Sequence, residues 1–382
     1  MEPTGRIACS VTTHRRLSQW PTIPPTERWS DAEEPWFSHC RRIIASPDDF
    51  LTTCTSQEKG IVRFSLALAD NPEVVLAMCK TLHRDLLIRD GAGLRQEQGY
   101  CICSVITDSC YRNRGLATVL MKNIAEWVDG PGGATASTLY SEVGDFYVRR
   151  GWDILDAFQS TLTVPPSLPS GESQAKLPNT RLLSAEDLPG LCERDVESIK
   201  EDFRRYDLAP GTTLITALPT TDMVDWQQNR IGFMNAKLLG KCSKWKGSIC
   251  ESDDAWMYWY HDLYHRKLII QRAKLPKNRG DEVTIQVLAR LLLDALEEAV
   301  KWEIPHVLIW NPGSELHSAM GFLNEEFGIE VLNEKREVAD IPCLRWRGGE
   351  KKPTIVRPRL MSFTAGAKCF NQSRCPSYLL VK

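Results

Sequence analysis

The stretch "ITDSCYRNRGLATVLMKNIAEW" at residues 106–127 joins a basic turn to the start of a helix. Its first half is polar and carries two arginines and a glycine, whereas its second half has apolar residues at helical spacing. These apolar residues are Leu116, Val119, Leu120, Ile124 and Trp127. The spacing predicts an amphipathic helix over residues 114–129, preceded by the basic turn.

The start of this helix has the properties of an anion-binding site. About four backbone N–H groups at a helix N-terminus lack partners within the helix, and together they carry roughly half a positive charge. Gly115 lets a ligand come close to the backbone, and the small side chain of Ala117 leaves further room. Arg112 and Arg114 add positive charge. A phosphate or diphosphate is the ligand that suits such a site best.

The segments around the turn predict an α/β layer. "GYCICSVIT" (99–107) is predicted as a buried strand before the turn, and "DGPGG" (129–133) ends the helix. A strand "TASTLY" (135–140), a short helix "GDFYVRRGW" (144–152) and a strand "TLTV" (161–164) then follow. This order predicts helices packed over a sheet, with the last strand closing the unit.

The second half of the chain repeats this order. The aromatic segment 256–273 is predicted as strand, residues 282–302 as a long amphipathic helix, 306–310 as a strand and 314–329 as a further helix. The glycine before the long helix, Gly280, is followed by the two acids Asp281 and Glu282. The sequence therefore predicts a second copy of the same fold without the anion-binding turn.

The motif "RNRGLA" (112–117) resembles the Arg/Gln-x-x-Gly-x-Gly/Ala signature of the GNAT acyltransferase superfamily. "SVIT…YRNRGLATVLM" and "TLYSEVGDFYVRRGW" are similar to motifs of its fungal lysine N-acetyltransferase-like branch, and "CKTLHRDLLIRDG" (79–91) resembles that branch's first motif. The resemblance is clear over residues 79–152. It is looser over 256–312, where that branch carries a C-terminal GNAT-like domain without the cofactor motif. This chain has "SCYRNRG" and Leu116 where the branch has Pro-Glu-Tyr-Arg-Gly and a large aromatic residue, which leaves acceptors other than lysine open.

The resemblance implies an α/β (α+β) fold of GNAT type. We expect a mixed sheet with helices on both faces, followed by a second, GNAT-like C-terminal domain that lacks the cofactor motif. The expected organisation is an irregular N-terminal arm (1–35), a catalytic domain that binds acetyl-CoA (36–164), a linker (165–180), the C-terminal GNAT-like domain (181–345) and a basic C-terminal tail (346–382).

The resemblance also implies acetyl-CoA as cosubstrate. The backbone of Val105, Ile106 and Thr107 would pair with the pantetheine arm like an added strand. The amides of residues 113–117 would hold the diphosphate, and the thioester would lie where two adjacent strands of this fold splay apart. The implied cofactor-binding residues are Val105, Ile106, Thr107, Arg112, Asn113, Arg114, Gly115, Leu116 and Ala117.

The implied reaction is direct attack of an amine on the thioester through a tetrahedral intermediate. It requires a neutral amine, donors for the oxyanion and a proton for the leaving thiolate. By resemblance Tyr147 is the candidate acid, with packing of its ring as the alternative. Glu142 is the candidate base or ammonium ligand, although it and Asp145 could instead cap the helix that follows. Tyr140 is a further candidate acid whose position at a strand end favours the core.

The motif "HDLYH" (261–265) imitates a zinc-binding helix, but its flanks predict a strand. Strand positions four apart lie about 13 Å from each other, which is too far for one metal ion, so we expect no metal site here. Cys101 and Cys103 share one strand face and are expected to pack in the core. Cys110 lies beside the arginines, which leaves a reactive thiol as an alternative.

Overall composition limits the partners. The 49 acidic and 47 basic residues nearly cancel, so we expect binding neither to nucleic acid nor to a membrane surface. No apolar run approaches the ~18–20 residues of a membrane span. The first 30 residues lack the apolar core of a secretory signal, and the 13 cysteines are scattered, which predicts a cytoplasmic location. Arg15 and Arg16, among several Ser and Thr residues, leave a transit peptide as an alternative.

The sequence thus predicts an acetyltransferase that acts on the amine of a small molecule, with lysine or a lysine-like amino acid favoured. The acceptor would lie between the two halves, partly lined by residues 256–264. Two alternatives stay open. One is a tailoring enzyme that acts on a natural-product amine or alcohol, and the other is a non-catalytic acyl-CoA-binding protein. The oligomeric state is not predicted.

Overall fold

The computed structural model describes residues 7–13, 61–68, 74–168, 176–277, 280–348 and 354–355. Most of the predicted N-terminal arm, part of the predicted linker and most of the predicted basic tail lie outside the described residues. The strands in chain order are β1 (Ile7–Thr13), β2 (Ile61–Leu68), β3 (Val75–Asp90), β4 (Gly93–Thr107), β5 (Ala136–Ser141), β6 (Asp153–Ile154), β7 (Phe158–Thr163), β8 (Arg181–Leu183), β9 (Leu214–Ala217), β10 (Gly247–Cys250), β11 (Ala255–Asp262), β12 (Lys267–Lys274), β13 (His306–Trp310), β14 (Val331–Lys335), β15 (Ile341–Trp346) and β16 (Thr354–Ile355). The α-helices are α1 (Leu116–Asp129), α2 (Leu188–Arg205), α3 (Thr221–Leu239), α4 (Asp281–Lys301) and α5 (Ser314–Phe327).

The strands form two mixed sheets. The first sheet has the order β1-β2-β3-β4-β5-β15-β6, and β9 also pairs with β3 and with β16. The second sheet has the order β14-β7-β13-β12-β11-β10-β8. Both contain parallel and antiparallel neighbours, for example β4 beside β5 and β12 beside β13 as parallel pairs. The mixed α/β class expected from the sequence is confirmed.

Helix α1 covers one face of the first sheet. Its buried side chains are Leu116, Leu120, Met121, Ile124 and Val128. Leu116, Leu120 and Ile124 were predicted to lie on this face, and Trp127 packs partly buried against the same core. Val119, also predicted there, is 41% exposed. The buried side chains pack with residues of the sheet that include Phe64, Ile102 and Leu139. The helix begins at Leu116 and not at residue 114, because Gly115 has a left-handed backbone (φ 73°).

Helices cover both faces of the second sheet. α4 and α5 pack on one face around a large core, in which α4 contributes apolar residues from Val287 to Ala299. α2 and α3, which the sequence analysis did not identify, pack on the other face. The order predicted for the second half is otherwise confirmed, since β11, β12, α4, β13 and α5 follow one another as expected. None of the described helices is both long enough and apolar enough to cross a membrane.

The strand predicted at residues 161–164 does not close the first sheet. It is part of β7, which lies in the second sheet between β13 and β14. Its central residue Leu162 is fully buried in the core beneath α4. The expectation was wrong because alternating apolar residues show that a strand has a buried face but do not identify its partner.

The first sheet in turn receives strands from the second half of the chain. β15 lies between β5 and β6, and Cys343 is opposite both Leu139 and Ile154. β9 pairs with the outer part of β3. The predicted linker therefore separates segments of the chain but not the two sheets, and the domain boundaries remain a proposal.

This exchange of strands predicts that the first 164 residues cannot fold alone. A chain that ends at residue 164 would lack β15 and β9 in the first sheet and both partners of β7. Heating followed by circular dichroism should show no cooperative transition. A chain that ends at residue 348 keeps these strands and is the control, which should melt cooperatively. A sharp melting transition of the shorter chain would contradict the expectation.

Candidate active site

The turn between β4 and α1 forms a cradle of backbone N–H groups. Asn113 and Gly115 both have left-handed backbones, with φ of 62° and 73°. Left-handed residues in such a turn direct successive N–H groups into one concavity, which binds anions. Within the described part of the chain, no hydrogen bond uses the N–H groups of residues 113–117. An ideal Cβ built on Gly115 meets no atom within 4 Å, so the space above the turn is open.

Two of the predicted arginines lie at this turn. The Nε atom of Arg112 donates to the carbonyl oxygen of Thr107 at 3.4 Å, which ties the turn to the end of β4. The exposed Arg114 has its guanidinium carbon 5.5 Å from the centre of the Tyr111 ring. The cradle therefore carries positive charge on the side where β4 ends.

A third arginine, which sequence reasoning missed, reaches the same helix end. Arg150 donates to the hydroxyl of Thr118 in the first turn of α1. Its guanidinium carbon lies 3.6 Å from the centre of the Phe146 ring, a cation–π arrangement that fixes its direction. The adjacent pair Arg149 and Arg150 was the available signal, but nothing local in the sequence connects it to α1.

The strands β4 and β5 splay apart close to this turn. They pair in parallel at only three positions, of which Cys101 opposite Thr138 is the last. β4 continues to Thr107 beside β3, where Ile106 is opposite Met78. The half-buried residues 105–107 therefore have one edge that is not paired with β5, as an added extended ligand requires.

A β-bulge at Ser104 changes the direction of β4 at the gap. The register with β3 shifts between Met78 and Lys80, and Ser104 has a φ of 54°. Before the bulge, Ile102 faces α1, whereas Cys103 faces the opposite side of the sheet. After the bulge, Val105 packs on the α1 side. Bulges of this kind redirect backbone groups beside active sites, and the sequence carries no clear signal for this one.

Tyr147 lies in the segment of chain that joins β5 to β6, and it packs in the core that α1 covers. It is buried in the same core as Leu139, Trp152 and Cys343. Burial, together with the nearby thiols of Cys79 and Cys343 and the charge of Glu142, raises the pKa of Tyr147 well above its usual value. The phenol therefore stays protonated at physiological pH and can donate a hydrogen bond or a proton. The geometry suits both the acid role and the packing role, so the acid role stays a prediction.

The two predicted acids beside Tyr147 differ in their surroundings. Glu142 directly follows β5, is half-buried and is close enough to affect the pKa of Tyr147. Asp145 is exposed and forms a two-point ion pair with Arg149, at 2.7 and 2.9 Å, which lowers its pKa. Asp145 therefore pairs with Arg149 and does not cap the short helix, whose N-cap is Val143 without a side-chain hydrogen bond. Glu142 remains the candidate base or ammonium ligand.

Tyr140 faces the other side of the first sheet from Tyr147. Its ring lies 6.5 Å from that of Trp310, and it packs beside Cys101, Cys103 and Trp226. Burial raises the pKa of Tyr140 well above its usual value. Cys101 and Cys103 are themselves buried in this cluster, in agreement with the packing expectation.

The histidines of the "HDLYH" motif lie on a strand and the turn after it. His261 belongs to β11, as predicted, and its Nε2 lies 3.0 Å from a carboxylate oxygen of the buried Glu298. Burial lowers the pKa of His261. His265 lies in the turn with its Nδ1 2.9 Å from Asp262. The two histidines therefore pair with different acids.

Comparison with known proteins adds a family and several relatives. Residues 163–356, slightly more than half of the chain, match the family described as "LYC1 GNAT-like C-terminal domain". A lysine acetyltransferase of Yarrowia lipolytica is 24% identical over 309 residues, which covers 69% of this chain and 76% of that protein.

Solved structures that match this chain include a GCN5-related N-acetyltransferase from Kribbella flavida. It is 15% identical, with a TM-score of 0.47, and the match covers 90% of this chain and 72% of that one. A tandem GNAT protein from the clavulanic acid biosynthesis pathway is 10% identical, with a TM-score of 0.45, and the match covers 79% of this chain and 87% of that one.

Proposed function

Because this chain belongs to the LYC1 GNAT-like C-terminal domain family and is a GNAT-type acetyltransferase, we propose that it transfers an acetyl group from acetyl-CoA to the amine of a small molecule. Lysine or a lysine-like amino acid is the favoured acceptor. The observation that carries this proposal is the unpaired edge of β4, which leads directly to a cradle of unbonded N–H groups at the start of α1. The name of the lysine acetyltransferase that is 24% identical supports the choice of acceptor.

The residues of the turn fit the diphosphate of coenzyme A. The N–H groups of residues 113–117 would donate to its oxygens, and Arg112 and Arg114 would offset its charge. The space above Gly115 is open for it. The backbone of residues 105–107 would pair with the pantetheine arm along the unpaired edge.

Bound acetyl-CoA supplies an acyl thioester, and the protein supplies the proton transfers. Tyr147 would give its phenolic proton to the departing sulfur, since a phenol is protonated at neutral pH. Glu142 would accept the proton of the attacking amine or hold its ammonium form before the reaction. A backbone N–H beside the bulge at Ser104 would stabilise the charge that develops on the carbonyl oxygen.

We further propose that residues 36–164 carry the cofactor site and that residues 181–345 form the GNAT-like second half, with β9 and β15 inserted into the first sheet. We also propose that the protein works in a reducing, cytoplasmic environment, which fits the scatter of its 13 cysteines along the chain.

The test is release of free thiol from acetyl-CoA with a panel of acceptors. The purified full-length protein is incubated with acetyl-CoA and lysine, ornithine, cadaverine or an amino alcohol, and the thiol is measured. The proposal expects release that depends on lysine. Turnover with the amino alcohol alone would indicate a different acceptor class, and tight binding of coenzyme A without turnover would indicate a binding protein.

A further inference from the structure

Helix α3 forms a bridge between the two sheets on the face opposite α1. Trp226, near its start, packs against Leu82 and Cys103 of the first sheet. One turn later, Ile231 packs against Tyr260 of the second sheet. The residues of β4 that face α1 and those that face α3 alternate, so the two helices lie on opposite faces of the first sheet.

Trp226 lies beside the gap between β4 and β5. It packs in one cluster with Cys101, the last residue of β4 paired with β5, and with Cys103 beyond that pair. Tyr140, near the end of β5, borders the same cluster. The cofactor cradle lies on the α1 side of the first sheet. A ligand on the α3 side would therefore reach the gap from the opposite face.

Three buried polar groups on this side have no hydrogen-bond partner among the described residues. They are Nε1 of Trp226, both amide atoms of Gln227 and the hydroxyl of Tyr260. Gln227 and Tyr260 are fully buried, and Trp226 is 8% exposed. A buried polar group without a partner is costly, so each of these groups calls for a partner such as a bound ligand or an ordered water. Gln227 is within hydrogen-bonding reach of the Tyr260 hydroxyl and lowers its pKa, which places the two groups together although their geometry is not that of a formed hydrogen bond.

Charges of both signs surround these groups. The guanidinium carbon of the buried Arg230 lies 5.6 Å from the centre of the Trp226 ring, one helical turn from it. Burial raises the pKa of Tyr260, Asp262 and Asp340 raise it further, and Arg230 lowers it. A cation and two acids therefore lie within electrostatic reach of one hydroxyl.

We infer that the cluster of Trp226, Gln227, Arg230 and Tyr260 is the recognition site for the α-carboxylate and α-ammonium groups of an amino-acid acceptor. This inference rests on the proposed acetyltransferase function. Arg230, the indole N–H of Trp226 and the amide of Gln227 supply donors for a carboxylate. Asp340, together with Asp262, which also holds His265, supplies negative charge for the ammonium. The aliphatic side chain of the acceptor then runs past Trp226 towards the gap and presents its terminal amine to the thioester.

The test compares lysine with cadaverine, which has the same amine and chain but no carboxylate. In the wild-type protein we expect lysine to be the better acceptor. Gln227→Leu and Arg230→Gln should each raise the KM for lysine about 10- to 100-fold, because each removes hydrogen bonds to a charged group. The KM for cadaverine and the affinity for coenzyme A should stay within about threefold of wild type. Cadaverine has no carboxylate for these side chains to bind, and neither residue belongs to the cofactor cradle.

Gln228 is the matched control. It is the next residue, is also buried, and its amide donates to the carbonyl oxygen of Trp259 and to Gln271. Gln228→Leu should lower Tm and leave the preference for lysine over cadaverine unchanged. An equal loss of preference in this control, or equal effects of the Gln227 and Arg230 variants on both amines, would overturn the inference.

A binding measurement separates this inference from the proposed function. Calorimetry of lysine with the protein saturated by coenzyme A reports recognition without turnover, and Gln227→Leu should abolish that signal. If the protein acetylates cadaverine as well as it acetylates lysine, the acetyltransferase stands and the inference fails. If lysine binds at these residues and no amine is acetylated, the inference stands and the proposed function fails.

Discussion

Replacement of Gly115 by glutamate is expected to weaken the binding of coenzyme A at least about 100-fold. The new side chain would occupy the open space above the turn and place a negative charge where the diphosphate must lie. A left-handed backbone at φ 73° also disfavours any residue other than glycine. Hydrogen bonds to charged groups contribute about 1.5–3 kcal/mol each, so the loss of two of them gives a change of this size.

Gly328 provides the matched control for this variant. It ends α5 with a φ of 64°, and an ideal Cβ there also meets no atom within 4 Å. Gly328→Glu therefore adds the same charge and a similar backbone strain on a different helix. Calorimetry with coenzyme A and thermal denaturation should show similar losses of Tm in both variants but lost binding only for Gly115→Glu. If Gly115→Glu bound coenzyme A within about threefold of wild type, the diphosphate site would be assigned wrongly.

The cofactor cradle could be predicted from the sequence because its determinants are local. Gly115 permits the left-handed backbone, the arginines beside it supply charge, and the apolar stripe from Leu116 onward defines the helix. Each of these properties acts within a few residues along the chain. The predicted and observed helix starts differ by two residues, because the left-handed turn itself extends to Gly115.

The exchange of strands could not be predicted in this way. β7 and β15 carry ordinary buried residues such as Leu162 and Cys343, which would suit either sheet. The choice of partner depends on residues far away in the sequence, since Leu162 lies opposite Val307 and Cys343 lies opposite Leu139. The bulge at Ser104 is similar, because its position is set by the register with β3.

Helix α3 was missed for a reason that bears on its proposed role. It packs against both sheets, so its apolar residues do not form a single stripe. It also buries polar residues, among them Gln227, Gln228 and Arg230, where a core helix usually has apolar ones. Departures from local rules are expected at functional sites. The residues that obscure the helical pattern are the same residues to which we assign acceptor recognition.

The second large effect is expected from Tyr147→Phe, which should lower kcat about 100-fold or more. General acid catalysis typically contributes 10²- to 10⁴-fold, and the variant removes only the hydroxyl. The ring would remain in the core beside Leu139 and Trp152, so Tm and the affinity for coenzyme A should change little. Stopped-flow or steady-state thiol release, together with calorimetry, measures both quantities.

Tyr100 is the control for this variant. It is also buried on the α1 side of the first sheet, and its hydroxyl donates to the carbonyl oxygen of Gly132 at 3.3 Å. Tyr100→Phe removes a phenolic hydroxyl from the same core without a proposed part in the reaction. Its kcat should stay near that of wild type. Equal losses in both variants would assign the effect of Tyr147 to packing.

The pH dependence separates the acid role of Tyr147 from the proposed role of Glu142. Because burial raises the pKa of Tyr147, its phenol does not deprotonate across the neutral and moderately alkaline range, and kcat should not fall there through its ionisation. Glu142→Gln removes a group that acts on the amine, so it should change the acidic limb of kcat/KM for the acceptor. Tyr147→Phe should lower the whole profile without moving that limb. A shift of the acidic limb in Tyr147→Phe would mean that the phenol acts on the amine and not on the leaving thiolate.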